Sequence, residues 1–314
     1  MLIIVSPFLK SFDDIWLTYF VPKELETYIK LGIVVDIPLQ TQIVSWVVLD
    51  MINETSFDKD KIKPIVSIKY EEALLYDYQI KTIKWISNYY FCKIHSSLNL
   101  FFPRNLKEKI EKIKLDLSPK KKLEYTFNYK KTLTKNQIIA LNDVEKTDKK
   151  IIFYGITWSW KTEVYINLVK KYLDKQKQSL ILVPEIILNN QTYERFKEIF
   201  WDNVLMINSS ITESKKTNSR IDIYNNNAKI IIWTRSSLFY PYKDLWLIIV
   251  DEEHDLSYKS ESTPRIDTKE VVSFIANQKD IKTIFASWTP SIKTIFKWLK
   301  NEYKIINLLD EYKN

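Results

Sequence analysis

The second half of the chain alternates short apolar runs with longer amphipathic stretches. Each run is followed by a segment that has the spacing of a helix with one apolar face. Strands that alternate with helices are typical of a parallel sheet covered by helices. From Leu133 onward we therefore predict an α/β fold with a parallel sheet. The strand candidates are residues 150–154, 179–183, 203–207, 229–232, 245–250 and 281–285.

The first hundred or so residues show a different pattern, with short β-rich runs. Residues 32–37 and 43–49 are strand candidates, and a helix is predicted over about 70–91. Residues 105–131 are rich in lysine. We interpret them as a solvated helix and linker, with a dedicated DNA contact as the alternative. The predicted domains are a small β-rich domain (1–104), a connector (105–131) and an α/β domain (132–314).

Composition narrows the class of protein. The chain has 314 residues, 46% of them hydrophobic and 27% charged, which is the balance of a soluble globular protein. The N-terminus lacks the basic region and the cleavage site of a signal peptide, and no apolar run approaches the ~20 residues of a membrane span. A cytoplasmic protein without membrane contact is therefore expected. Cys92 is the single cysteine, which excludes an internal disulfide and a cysteine-rich zinc site in this chain.

The net charge is +8 and the isoelectric point is near 9.1. Such a balance suits a polyanionic partner such as nucleic acid. An AT-rich genome, which enriches lysine, is the alternative source of this charge.

The loop at residues 155–162 reads GITWSWKT and follows the first predicted strand of the α/β domain. It fits the P-loop pattern G-x-x-x-x-G-K-[ST], whose backbone amides bind phosphates, at every place except Trp160. An indole there would fill the space that the phosphates need. The strand before it, the helix after it and the Lys161-Thr162 pair predict a nucleotide-binding origin. The candidate nucleotide-binding residues are Gly155, Ile156, Thr157, Trp158, Ser159, Trp160, Lys161 and Thr162.

The acidic run Asp251-Glu252-Glu253-His254 follows a predicted strand directly. A carboxylate at the C-terminal end of a parallel strand faces the ligand crevice. In that place Asp251 would hold Mg²⁺ and Glu252 would orient or deprotonate the attacking water. The alternative is a helix N-terminus rich in acids. The position of the run, about 90 residues after the P-loop, favours the first interpretation.

Five stretches, in order, carry a resemblance to a known family. They are GITWSWKTEVY, LVPEIILNNQ, IIWTRSSLFYP, LIIVDEEHDLSYKSE and FASWTPS. They resemble the Walker A motif and motifs Ia, Ib, II and III of the primosomal protein N′ (PriA) family of superfamily 2 helicases. Near the N-terminus, LTYFVP, LGIVVDIPL and VSWVVLD are similar to that family's 3′-DNA-binding domain. The resemblance covers nearly the whole chain.

The resemblance implies roles for single residues. Gln137 would contact adenine, Lys161 the β- and γ-phosphates, and Thr162 the Mg²⁺ together with Asp251. Motif III would couple hydrolysis to movement. The implied catalytic residues are Lys161, Asp251, Glu252 and His254, the last linking the nucleotide site to DNA. The implied nucleic-acid contacts are Arg235, Glu185, Gln191, Thr18 and Tyr19. For Arg235 an internal salt bridge is the alternative.

The resemblance also implies an architecture and a function. A small DNA-binding domain and a shortened winged-helix region would precede one RecA-like lobe. The family hydrolyses ATP with Mg²⁺, moves 3′ to 5′ on branched forks during replication restart, and works with primosome and single-strand-binding proteins. The family continues with zinc-binding cysteines and a second motor lobe, which this chain does not contain. We therefore expect weak nucleotide and DNA binding without unwinding. The alternative is a non-catalytic primosome fragment or a pseudoenzyme.

Tryptophan stands at many places where the resembling family has glycine. There are two glycines and ten tryptophans, whereas about 7% glycine, roughly 20 residues, is usual. The resemblance places glycine at positions 16, 46, 158, 160, 201, 233 and 246, and alanine or glycine at 288. Some bacteria read UGA as glycine and others read it as tryptophan. We therefore hypothesise translation with the wrong table, with decay into a pseudoenzyme as the alternative. If glycine is native, these places are expected at turns and phosphate loops that need a positive φ.

Overall fold

The computed structural model describes residues 1–6, 17–55, 57–102, 129, 131–155, 158–184, 191–207 and 212–308. For residues 59, 158–160, 191, 192, 202 and 213 it describes the backbone alone. The described chain separates into two compact units. The first takes residues from 1–114 and 261–266, and the second takes residues from 115–260 and 267–314. The predicted lysine-rich connector lies almost entirely outside the described residues.

The first unit contains an antiparallel sheet of five strands in the order β2-β1-β4-β3-β5. Alternate side chains of its strands, such as Ile3 with Val5 and Val35 with Ile37, are completely buried. This alternation is what one apolar face of a pleated strand requires. The strands are β1 (Leu2–Ser6), β2 (Leu17–Phe20), β3 (Val34–Leu39), β4 (Gln42–Ile52) and β5 (Ser67–Ile68). The β-rich N-terminal fold is therefore confirmed.

The helix predicted near residues 70–91 is shorter in the structure. Helix α1 (Asp77–Tyr89) begins after Tyr76, whose backbone N–H donates to the side-chain carbonyl of Gln79 at 3.1 Å. That bond closes a capping box and sets the first turn. The chain leaves the helix at Phe91, which has a left-handed φ of 48°. A second helix, α2 (Ile94–Phe101), follows.

Gly32 stands where the first unit cannot accept a side chain. Its φ is +79°, and a Cβ atom there would lie 2.1 Å from the carbonyl oxygen of Leu75. Only glycine combines that conformation with so close a backbone approach. The turn into β3 is therefore consistent with the glycine that the sequence retains here.

The second unit contains a parallel sheet of seven strands in the order β12-β6-β11-β10-β7-β9-β8. The strands are β6 (Lys150–Gly155), β7 (Gln178–Leu182), β8 (Val204–Ile207), β9 (Ile230–Trp233), β10 (Leu245–Val250), β11 (Lys282–Ser287) and β12 (Tyr303–Leu308). All six predicted strands are present, and their ends differ from the predicted ones by at most two residues. The predicted α/β fold with a parallel sheet is confirmed.

The seventh strand, β12, was not predicted. It lies at the sheet edge and pairs with β6 alone. Its exposure alternates irregularly, so it lacks the continuous apolar run that marks the inner strands. It nevertheless leaves little space for a side chain at the start of the P-loop, because a Cβ atom on Gly155 would lie 3.2 Å from Leu308.

Helices follow most of the strands, as the alternating pattern predicted. Side-chain oxygens of Thr134, Asp267 and Ser291 accept backbone N–H groups at three of the helix starts. The described helices of this unit are α3 (Lys135–Lys146), α4 (Trp158–Asp174), α5 (Gln191–Phe200), α6 (Glu213–Tyr224), α7 (Thr268–Lys279) and α8 (Ile292–Leu299).

The tryptophans at expected glycine places occupy different environments. Trp201 is exposed and has a left-handed φ of 51°, as a glycine turn would. Trp46 and Trp233 are buried residues of extended strands β4 and β9. The expectation of a positive φ is therefore confirmed at Trp201 and wrong at Trp46, at Trp233 and at Trp246, which lies in strand β10. Trp16 lies outside the described residues.

Candidate nucleotide and hydrolysis site

The P-loop joins β6 to α4, as its sequence predicted. β6 ends at Gly155 and α4 begins at Trp158, so Lys161 and Thr162 lie in the first turns of the helix. Ile156 and Thr157 lie outside the described residues, and the side chains of Trp158, Ser159 and Trp160 are not described. The unpaired N–H groups and the dipole of a helix N-terminus favour an anion at this place. The strand–loop–helix arrangement that phosphate binding requires is therefore present.

Lys161 connects the P-loop to the acidic run. Its side chain is 3% exposed, and its Nζ lies 2.9 Å from Oε1 of Glu252, which is 14% exposed. An ion pair removed from water in this way holds both groups in one geometry. The structure thus brings together two residues that are 91 positions apart in the chain.

Asp251 follows β10 and is held through both its backbone and its carboxylate. Its N–H donates to the carbonyl of Leu182 at 2.9 Å, and its Oδ1 accepts the hydroxyl of Tyr165 at 2.9 Å. The hydroxyl of Tyr258 donates to the Asp251 carbonyl at 2.6 Å. Removal of the carboxylate from water raises the pKa of Asp251, and the Lys161 ammonium opposes that shift. A carboxylate at a strand end is therefore fixed close to the P-loop helix.

Glu252 has a strained backbone. Its φ is +46°, a left-handed conformation that bulky residues seldom adopt. Its Oε2 is buried and accepts no hydrogen bond among the described residues; the Nδ1 of His254 lies 3.6 Å away. A buried acceptor without a donor is costly unless a ligand or water serves it. Backbone strain of this kind is concentrated at functional sites.

His254 links the acidic run to motif III. Its Nδ1 lies 2.7 Å from the hydroxyl oxygen of Ser287, and that oxygen also accepts the N–H of Thr289 at 3.0 Å. The structure therefore brings the acidic run and motif III into contact, which the sequence analysis did not predict.

Glu253 is a functional candidate that the sequence analysis did not single out. Its carboxylate is completely buried and accepts the Lys269 ammonium at 2.6 Å, the Ser291 N–H at 2.6 Å and the Thr294 hydroxyl at 3.1 Å. Ser291, the last residue of motif III, and Thr294 lie at the N-terminal end of α8. The third residue of the acidic run thus fixes the helix that follows motif III.

Gln137 has an internal role in the structure. Its side-chain carbonyl accepts the N–H of Thr134 at 2.9 Å and completes the capping box of α3. A contact with adenine stays a prediction.

The predicted nucleic-acid contacts are spread over both units. Arg235 donates through one NH1 nitrogen to the carbonyls of Ser257 at 2.8 Å and Lys259 at 2.5 Å, so it holds the loop after the acidic run. Tyr19 is a buried residue of β2 whose hydroxyl donates to the Pro38 carbonyl at 3.0 Å. The remaining candidates are Thr18 in β2, Glu185 outside the described residues, and Gln191, of which only the backbone is described. Their contacts with DNA stay predictions.

The DEAD/DEAH box helicase family matches residues 134–297, which span the P-loop, the acidic run and motif III. The chain belongs to the DEAD/DEAH box helicase family. A second family, the 3′DNA-binding domain of PriA, matches residues 9–103. The order of the two matches confirms the resemblance to the PriA family. Residues 134–297 are therefore a helicase-family domain, a class of domain that in general uses nucleotide and metal.

Curated relatives support the same family. The replication restart protein PriA of Helicobacter pylori strain J99 is 34% identical over 278 residues, which cover 88% of this chain and 41% of the relative. That of Rickettsia conorii is 31% identical over 314 residues, covering 99% of this chain and 46% of the relative. That of Bacillus subtilis is 33% identical over 189 residues, or 57% of this chain and 24% of the relative. The chain thus spans less than half the length of these relatives.

Solved helicase structures are similar to parts of the chain. The UvsW helicase of bacteriophage T4 aligns with 60% of this chain and 64% of its own, at 19% identity and a TM-score of 0.41. A DEAD box protein from Methanococcus jannaschii aligns with 59% of this chain and 56% of its own, at 16% identity and a TM-score of 0.40. None of the described helices is long and apolar enough to cross a membrane.

Proposed function

We propose that residues 132–314 form the ATP-hydrolysing first motor lobe of a superfamily 2 helicase that moves 3′ to 5′ on DNA during replication restart. The observation that carries the proposal is the meeting of Lys161, Asp251 and Glu252 at the C-terminal ends of β6 and β10. A lysine at a helix N-terminus beside two carboxylates at a strand end is the arrangement that phosphoryl transfer needs.

The residues present fit ATP with Mg²⁺. Asp251 and Thr162 would hold the metal, which when bound neutralises charge on the phosphates. Lys161 would exchange its pairing with Glu252 for the β- and γ-phosphates. That exchange releases Glu252, whose second oxygen already lacks a hydrogen-bond donor among the described residues, to orient and deprotonate the attacking water.

The first unit supports a role on DNA. It matches a 3′DNA-binding domain, and the whole chain is basic. Branched forks, restart proteins and single-strand-binding proteins are the proposed partners, and the cytoplasm, where bacterial DNA lies, is the proposed location. A second motor lobe is needed for unwinding, because ATP in such helicases lies between two lobes. With glycine at positions 158 and 160, the chain alone is therefore proposed to bind nucleotide and DNA without unwinding.

A second candidate function is a DNA- and partner-binding module without catalysis. Trp160 favours it, because an indole stands at the P-loop place where the backbone must approach the phosphates. The two candidates differ in whether glycine at positions 158 and 160 gives a working site.

Hydrolysis tests the main proposal. The chain with Trp158→Gly and Trp160→Gly, fused to the second motor lobe of a PriA relative, is expected to hydrolyse ATP when DNA is present. Glu252→Gln in that fusion should keep ATP affinity and lower the rate by roughly 10²–10⁴-fold, since the base is lost while the phosphate site stays. Steady-state phosphate release measures the rate. An unchanged rate in the Gln variant would show that Glu252 is not the base.

A further inference from the structure

One hydroxyl group in the core of the lobe is directed at the metal carboxylate. Tyr165 lies on α4, one helical turn after Lys161, and its side chain is almost completely buried. Its ring lies beside Phe153, with centroids 6.3 Å apart, and its hydroxyl donates to Oδ1 of Asp251 at 2.9 Å. Tyr165 is the last residue of the stretch GITWSWKTEVY, but it lies outside the phosphate-binding pattern of residues 155–162 and outside the acidic run.

We propose that Tyr165 is a positioning residue, which holds one oxygen of the Asp251 carboxylate so that the other serves the metal. This role rests on the proposed nucleotide function of the site. The terminal torsion of an aspartate is broad, so a free carboxylate samples many orientations. A donor on a rigid, buried ring restricts that rotation, and a hydrogen bond to a charged acceptor is among the stronger ones.

Two tyrosines hold different parts of Asp251, one its backbone and the other its carboxylate. The Tyr258 hydroxyl shares its one proton between the backbone carbonyls of Asp251 at 2.6 Å and Leu182 at 2.9 Å, which fixes the main chain between β10 and β7. The Tyr165 hydroxyl holds the carboxylate itself. Burial and the nearby carboxylates raise the pKa of Tyr165 well above its ordinary value, so this hydroxyl stays a donor at neutral pH.

Tyr165 also sets the register between two motifs. Lys161 and Tyr165 project from the same face of α4, because residues four apart in a helix lie above one another. Lys161 contacts Glu252 and Tyr165 contacts Asp251. One rigid helix therefore holds the phosphate lysine and the metal carboxylate at a set spacing.

A matched control separates this role from ordinary core packing. Tyr242 is also completely buried, and its hydroxyl donates to a backbone carbonyl, that of Ser237, at 2.9 Å. Tyr242→Phe removes the same atom as Tyr165→Phe without touching Asp251. A purely structural tyrosine would give the two variants the same phenotype.

The decisive experiment titrates Mg²⁺. The 314-residue chain carrying Trp158→Gly and Trp160→Gly binds a fluorescent ATP analogue, and the affinity is measured over a series of Mg²⁺ concentrations and in EDTA. Tyr165→Phe should raise the Mg²⁺ midpoint roughly 10-fold, the lower limit for loss of a group that orients a metal ligand, while affinity in EDTA stays within about twofold. Tyr242→Phe should change neither value.

Two outcomes of this Mg²⁺ titration overturn the proposal. An Mg²⁺ midpoint in Tyr165→Phe that matches Tyr242→Phe shows that the hydroxyl does not position the carboxylate. Failure of the parent chain to bind the analogue refutes the nucleotide function, and the metal role of Tyr165 falls with it.

A second readout is independent of nucleotide. In metal-free protein, carbon-13 NMR follows the titration of the Asp251 carboxyl group. Tyr165→Phe removes a hydrogen bond to the charged form, so the pKa of Asp251 should rise, whereas Tyr242→Phe should leave it unchanged. An unchanged pKa in Tyr165→Phe contradicts the proposed contact even if nucleotide binding is intact.

Discussion

Two strand ends of the same sheet prepare the site in opposite ways. After β10, hydrogen bonds between side chains fix the acidic run. Tyr165 holds Asp251, and Lys269 with the start of α8 holds Glu253. After β6, the chain depends on small residues, since Gly155 already lies against Leu308 and position 160 must approach phosphates closely. The first end is complete in the sequence as written. The second depends on glycine where the sequence has tryptophan.

The difference shows which part of a site tolerates a change of residue type. A network of side-chain hydrogen bonds is encoded by the residues that form it, so it is intact wherever those residues are intact. A phosphate loop is encoded by the absence of side chains, so one large residue removes its function while the surrounding fold stays. The lobe can therefore have a complete acidic run after β10 and a blocked P-loop after β6.

The largest loss in the free energy of unfolding is expected when Glu253, which follows β10, loses its partner. Lys269→Met should leave this buried carboxylate without its cation and lower the free energy of unfolding by roughly 3–5 kcal/mol. Urea unfolding of the lobe measures it.

The exposed pair Lys81–Asp77 on α1 is the control for this prediction. Asp77→Asn should change the free energy of unfolding by less than about 1 kcal/mol, since exposed pairs contribute little. A loss below 1 kcal/mol in Lys269→Met would show that Glu253 is not held as described.

Effects of opposite sign are expected at two tryptophans, a small gain in stability at one and a loss as large as that of Lys269→Met at the other. Trp201→Gly should raise stability by up to about 1 kcal/mol, because it relieves a left-handed φ at an exposed side chain. Trp233→Gly should lower it by about 3–5 kcal/mol, because a buried ring beside Tyr240 is lost. Thermal unfolding at matched concentrations measures both.

Trp201 and the two P-loop tryptophans test the hypothesis of a different genetic code. In protein from the source organism, mass spectrometry of peptides spanning residues 158, 160 and 201 should find glycine at each. Indoles at all three places would leave a nucleotide-dead pseudoenzyme as the better account.

The sequence predicted the elements whose patterns are continuous. β10 has the bounds expected from its apolar run, and the P-loop and acidic run lie at strand ends as their motifs require. β12 escaped prediction because an edge strand is only partly buried and its apolar pattern is interrupted. Tyr165 and Glu253 also escaped, because their partners come from distant parts of the chain. Local pattern carries no information about such pairs.

The conformation of single residues was the weakest part of the prediction. Burial of Trp46 and Trp233 in extended strands could not be read from the family's glycines, since glycine in a strand can serve close packing as well as a turn. Gln137 likewise has a capping role that depends on Thr134, three residues before it.

Nucleotide titration of the repaired loop tests the account most directly. Isothermal calorimetry compares the chain as written, the Trp158→Gly, Trp160→Gly chain, and that chain with Lys161→Ala. The account predicts binding of ATP with Mg²⁺ to the repaired chain, and none to the chain as written or to the Lys161→Ala variant, because the loop needs both space and its cation. A folded repaired chain that gives no heat at millimolar ATP would contradict the proposed site.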